Sequence, residues 1–141
     1  MKYAIVTSEF NQEITDALLQ GALERFAEIN IPANNITVVK VPGAVEIPFA
    51  AQLLAKKNQY AAIVCLGAVI RGETTHYDYV CEQVSQGCQR VMLDHEIPVI
   101  FGLLTTEDEQ QARERVGGKH GHKGKDAVDT ALVMVNLKEN L

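Results

Sequence analysis

Positive charge, cysteine and long apolar runs are all scarce in this sequence of 141 residues. Lysine and arginine number 13 against 18 acidic residues, for a net charge of −5. That balance argues against a nucleic-acid surface held by bulk charge. It leaves room for a local basic pocket around a single phosphate. Cysteine occurs three times, at Cys65, Cys81 and Cys88, with no Cys-x-x-Cys spacing. An odd count without that spacing reads as reduced structural thiols in a cytoplasmic protein. No apolar run approaches the ~20 residues of a membrane span, and Met1 to Thr7 is too short and too soon interrupted for a signal peptide. Neither Gly-x-Gly-x-x-Gly nor a phosphate loop ending in Lys-Ser/Thr occurs, which disfavours dinucleotides and ATP.

What is present is ordinary globular material, 47% hydrophobic and 22% charged, and the length fits one domain over residues 1–141. Strand and helix patterns alternate from end to end. Ala4 to Thr7 reads as a buried strand, and Ile14, Ala17, Leu18, Ala22 and Phe26 recur at helical spacing. Ile36 to Val39 is a second strand, Val41 to Ala44 a turn, and a helix starts near Ile47. Ala61 to Leu66 is apolar throughout, as a strand covered on both faces must be. A loop around Arg71 to Thr74 opens a long helix reaching about Asp94, and Pro98 to Leu103 forms the fourth strand. Thr105 or Thr106 is expected to cap a short helix through Arg115. Four glycines between 117 and 124 then separate it from a closing helix with Ala127, Ala131, Leu132 and Val135 on one face. This order predicts an α/β three-layer sandwich, a central four-stranded parallel sheet flanked by helices on both faces.

Such sheets bind ligands beyond the carboxyl ends of their strands. The rule selects Ser8 to Asn11, Pro42 to Glu46, Gly67 to His76 and Phe101 to Thr106. In the third of these a strand runs through Arg71-Gly72-Glu73-Thr74 into a helix start, where unpaired N–H groups face incoming anions. The pattern fits a small phosphate cradle, and it equally fits a plain loop with a capping threonine. His76, at that helix start, is placed to carry protons if a phosphate lies beside it. Arg113 to Asp126 concentrates positive charge, including Arg115, Lys119, Lys123 and Lys125. It reads either as a phosphate grip or as a solvated turn. His120-Gly121-His122 is a weak metal signal, because no further ligand cluster completes it. Phe10 and Phe101 fall at strand ends, where an aromatic either fills core or stacks on a flat heterocycle. Glu46 is suited to polyol hydroxyls or simply to a helix N-terminus.

Taken together, these segments resemble the lumazine synthase family. The matching stretches are Ser8-Glu9-Phe10-Asn11, Val41-Pro42-Gly43-Ala44-Val45-Glu46-Ile47-Pro48 and Leu66 through Val80, with its Ile70-Arg71-Gly72 to His76 block. Pro98 to Thr106 and Lys119 to Gly124 continue the match, so it spans essentially the whole chain in order. The resemblance implies condensation of 5-amino-6-(D-ribitylamino)uracil with 3,4-dihydroxy-2-butanone 4-phosphate, without cofactor or metal, in riboflavin biosynthesis. It implies that Phe10 stacks on the pyrimidine with Asn11 close by, that Ala44, Val45, Val69 and Ile70 border the ring, and that Glu46 meets the ribityl chain. Gly72, Glu73 and Thr74 would bind the phosphate with Arg115, and His76 would move protons. Phe101 and Lys123 would close the pocket from a neighbouring subunit. The partners implied are small-molecule substrates and copies of the same chain, as homopentamers or sixty-subunit icosahedral shells, with neither nucleic acid nor membrane.

Three departures accompany the match: a first strand that begins almost at Met1, Val45 where relatives often carry an aromatic, and His120 and His122 where smaller residues are common. Two other readings share the fold. One is a non-catalytic assembly protein, which needs none of Phe10, His76 and Arg115. The other is the archaeal-type riboflavin synthase, whose substrate carries no phosphate.

Overall fold

The most continuously apolar strand takes the most covered place in the sheet. In the computed structural model, which describes residues 1–141, that strand is Ala62–Ile70 (β3). It lies between Tyr3–Ser8 (β1) and Val99–Thr106 (β4), with Ile36–Val41 (β2) at the far edge. All pairings in this four-stranded sheet, of order β2-β1-β3-β4, are parallel. Parallel neighbours require crossovers. The helices that supply them are Gln12–Glu28 (α1), Ile47–Ala55 (α2) and His76–His95 (α3), and the chain closes with Lys123–Asn140 (α5) after a short Glu109–Arg113 helix (α4).

Side-chain alternation along the strands sends neighbours to opposite faces. Ala4, Val6, Ile63 and Cys65 pack under α2 and α3 with Ile47, Leu54, Val84 and Cys88. Tyr3, Ile5, Val64 and Leu66 pack under α1 and α5 with Leu18, Phe26, Val128 and Ala131. The result is the expected three-layer sandwich. No helix is long and apolar enough to cross a membrane.

On the second face α1 and α5 touch almost backbone to backbone, and two glycines make that possible. A methyl group on Gly124 would lie 2.3 Å from the Leu18 carbonyl oxygen, and one on Gly21 would lie 2.0 Å from the His122 ring.

The structure departs from expectation near the carboxyl ends. β3 continues past Leu66 to Ile70, and its last residues Gly67 to Ile70 pair with Leu103 to Thr106. The glycine at 67 reads as a loop, yet Ala68 and Val69 beyond it are buried and continue the ladder. Thr105 and Thr106 therefore belong to β4 and cap nothing. The cap of α4 is Asp108, whose carboxylate accepts from the Gln111 N–H at 2.8 Å. Arg115 follows that helix. Val116–Gly118 (β5) and Gly121–His122 (β6) then form a small antiparallel pair that the glycine-rich sequence does not announce. His122 ends it by capping α5, with Nδ1 accepting from the N–H groups of Gly124 and Lys125.

Candidate functional site

Three of the four strand ends meet around one cavity of about 410 Å³. Phe10 and Asn11 reach it from β1, Gly43, Ala44 and Val45 from β2, and Ala68, Val69 and Ile70 from β3. Gly72, Thr74 and His76 continue the wall, and Tyr77 and Val80 of α3 complete it.

Phe10 is held at the mouth by backbone. After β1 ends, Glu9 N–H still donates to the Val41 carbonyl at 2.9 Å and Phe10 N–H to the Pro42 carbonyl at 3.0 Å. The chain is thus pinned to the end of β2 while the ring stays 72% exposed. An uncovered aromatic at a cavity rim is a stacking surface for a flat ring. Asn11 follows with φ of 64°, a left-handed conformation that asparagine tolerates better than most residues. Its carbonyl accepts from Ile14 and Thr15 and starts α1. Its side-chain amide donates to the Ala68 carbonyl at 3.0 Å and so ties α1 to the end of β3.

The loop from Arg71 to Thr75 is exposed and leads into a helix of 20 residues. The backbone N–H groups of Gly72 to Thr75 donate to nothing within the chain. Thr74 Oγ accepts from the His76 N–H at 3.2 Å, which leaves its own hydroxyl proton available. Free N–H groups, a hydroxyl and the positive end of a long helix are groups that can receive an anion. His76 stands exposed at its edge.

The remaining expected residues lie elsewhere. Glu46 does not line the cavity; it ends the turn Ala44–Glu46, ahead of α2, with its carboxylate beside Gly43. Glu73 is exposed and also outside the lining. Arg115 and Lys123 line a separate polar depression of about 270 Å³ at β4, with Thr105, Thr106, His120 and Asp126. Phe101 sits in a third hollow, again with Lys123. Within one chain these three residues do not reach the cavity of Phe10 and His76.

The charge on that second flank is unspoken for. Arg25, Arg71, Arg90 and Arg113 each have a carboxylate partner, whereas Arg115 and Lys123 have none. Arg115 Nη1 donates only to the Gln111 carbonyl, at 2.8 Å. His122 is occupied by its capping role. Burial, and then nearby Lys125, lowers its pKa, so the ring is held neutral.

Gly43 and Ala68 fall within the segments the strand-end rule selects, though the sequence singles out neither; Tyr77 and Val80 lie outside those segments. Val80 could have been found, since it is one helical turn from His76 on the same face. Sequence reasoning also passed over Arg71 as an individual. Its guanidinium forks to Glu107 at 2.5 Å and Asp78 at 3.3 Å and lies 4.3 Å from the Tyr77 ring centre. Hydrogen bonds to Glu107 and then Asp78 raise its pKa further.

Comparison with known proteins identifies the family. The sequence profile described as 6,7-dimethyl-8-ribityllumazine synthase matches residues 1–139. The 6,7-dimethyl-8-ribityllumazine synthase of Coxiella burnetii strain Dugway 5J108-111 is 56% identical over 140 residues, covering 99% of this chain and 93% of the relative. Those of strains CbuG_Q212 and RSA 493 are 55% identical over the same shares. A match of this extent, over a fold whose strand ends converge where the family motifs lie, places the chain in the 6,7-dimethyl-8-ribityllumazine synthase family.

Proposed function

We propose that this transferase of riboflavin biosynthesis carries out its condensation in a cleft completed by two copies of the chain. One copy supplies the cavity of Phe10 and His76, and a neighbour supplies Arg115, Lys123 and Phe101. The observation that carries this reading is the division of the chemistry. The anion-binding loop lies on one flank of the sheet, and the cations without partners lie on the other.

In this reading the pyrimidine of 5-amino-6-(D-ribitylamino)uracil stacks on Phe10. The backbone of Ala44, Val69 and Ile70 holds its edge, Val45 covers it, and Asn11 lies beside it. The ribityl chain runs toward Glu46. The phosphate of 3,4-dihydroxy-2-butanone 4-phosphate takes the free N–H groups of Gly72, Glu73 and Thr74 and the Thr74 hydroxyl, with the neighbour's Arg115 opposite. The amine attacks the ketone and water leaves as the imine forms. Proton removal from the carbon next to the imine expels phosphate and leaves an enol, which tautomerises to a new ketone; the ribitylamino nitrogen then closes onto that carbonyl with loss of water. His76 is the proton carrier at the phosphate wall. Both substrates are already reactive, so holding them together supplies much of the rate, and a modest proton shuttle suffices. The scheme asks for no cofactor.

The assembly that brings the two flanks together is the family's homopentamer, and a sixty-subunit shell is the larger form such rings can build. Phe49, Leu93 and Val133, exposed by 63% or more on α2, α3 and α5, offer apolar surface for contacts between copies. The enzyme works in the cytoplasm, where its free cysteines stay reduced.

Purified protein mixed with both substrates produces lumazine fluorescence, while lumazine supplied alone yields no riboflavin. A folded, assembled protein that forms no lumazine from the pair overturns the reading.

A further inference from the structure

We propose that Arg71 is a positioning residue that links the anion loop of its own cavity to the Arg115 which the same chain presents to a neighbouring copy's cavity. The inference rests on the phosphate reading above and extends it, since it makes adjacent sites share one framework.

The connection is a continuous run of hydrogen bonds along the ends of β3 and β4. Arg71 N–H donates to the Thr106 carbonyl at 2.9 Å, extending the β3–β4 ladder by one step. Its side chain forks, with Nε donating to Glu107 at 2.5 Å and Nη2 to Asp78 in the first turn of α3 at 3.3 Å. The Glu107 N–H donates to Gln111 Oε1 at 2.8 Å. The Gln111 carbonyl accepts Arg115 Nη1 at 2.8 Å. The two steps through Gln111 have ordinary hydrogen-bond lengths. Arg71 therefore braces the start of α3, which carries the loop Gly72 to Thr74 and His76. Through Glu107 it also braces the short helix that aims Arg115. A lysine could not make both arms of that fork. The guanidinium carbon lies over the Tyr77 ring, 4.3 Å from its centre, a cation–π contact that adds a third hold on the side chain.

A bystander role predicts the opposite sign at Glu107. Removing a negative charge near a phosphate site strengthens phosphate binding if Coulomb attraction alone matters. If Glu107 positions Arg115 and the loop, the same change weakens it. The Glu107 side chain is 61% exposed, so Glu107→Gln should not disturb folding, and it decides the question if Arg71→Met fails to fold.

The test uses the full assembled enzyme and measures KM for each substrate and kcat separately, with Arg115→Ala as the reference. Glu107→Gln and Arg71→Met should each raise KM for the phosphate ketone by about two- to fivefold, the range of an ion-pair loss, with KM for the aminopyrimidine unchanged. The double variant should be no worse than the poorer single one, because both changes cut the same link. An unchanged or lowered ketone KM in Glu107→Gln, beside a raised one in Arg115→Ala, overturns the link and leaves the phosphate reading standing. An unchanged ketone KM in Arg115→Ala overturns both.

Discussion

The two flanks of the sheet's carboxyl edge are built to opposite specifications. At the ends of β1, β2 and β3 the chain makes an apolar cavity whose polar features are open backbone N–H groups, carbonyls and the side chains of Asn11, Thr74, His76 and Tyr77. At β4 it makes a polar depression with Arg115 and Lys123, neither held by a carboxylate. The first flank can recognise a flat ring by shape but has no cation for a phosphoester. The second has cations, with Phe101 in the adjoining hollow, but no loop of open N–H groups beside them. In the reaction proposed above these are the two halves of one site, held apart within a chain, and a second copy is what would bring them together.

Variants on each flank should therefore separate cleanly. On the cavity side, His76→Ala should lower kcat roughly 100-fold, the lower end for loss of a general acid–base group, while leaving residual turnover from proximity alone. Single-turnover rates would check this, and a variant as fast as the parent would remove His76 from proton transfer. On the β4 side, Arg115→Ala should cut kcat/KM for the phosphate ketone by about 10- to 100-fold, as expected when a charge-assisted hydrogen bond to phosphate is lost. A mixture of His76→Ala and Arg115→Ala chains, dissociated and reassembled together, should recover activity that neither has alone, because some interfaces pair two intact halves. No recovery in verified mixed assemblies would mean that each chain completes its own site.

A smaller effect is expected at the ring. Phe10→Ala should raise KM for the aminopyrimidine by about two- to tenfold, the worth of one aromatic contact, and leave KM for the ketone alone. Equal rises for both substrates would mean that Phe10 shapes the loop instead of meeting the ring.

Much of this layout was legible in the sequence, for identifiable reasons. Uniform apolarity marks β3, and helical spacing from Ile14 to Phe26 marks α1, because burial on a known face leaves a period in the residues. The cavity residues Phe10, Ala44, Ile70, Thr74 and His76 follow from a topological rule about strand ends together with family motifs. What escaped was contact made by geometry without a sequence period. Gly67 looks like a breaker but sits inside a strand, and Thr106 looks like a cap but is a ladder residue, with the capping passed two residues on to Asp108. The fork of Arg71 escaped because its partners Asp78 and Glu107 lie on different elements. The β5–β6 pair is too short for any alternation to register.

The smallest expected effect tests whether the flanks also differ in their response to acid. His122 hands β6 on to α5 directly before Lys123, and its Nδ1 accepts the N–H groups of Gly124 and Lys125. Only neutral imidazole can accept there. Protonation would remove the cap and place a positive charge at the positive end of a helix, against the Gly21 backbone. Burial and Lys125 accordingly hold the pKa of this histidine below its ordinary value. A lowered pKa means that the folded state binds the proton less readily than the unfolded chain. The stability it contributes is complete above the ordinary value of about 6.5 and is lost as pH falls through the lower, folded value. His122→Asn keeps a capping acceptor and removes the titration. Between pH 8 and pH 5 the parent's Tm should therefore fall by roughly 2 °C more than the variant's. Amide exchange at the start of α5 should quicken in acid in the parent alone, while the start of α3, beside His76, behaves alike in both. Equal acid sensitivity of the two proteins would leave His122 as a cap that never titrates in the fold, and the two flanks would then differ in charge but not in their response to pH.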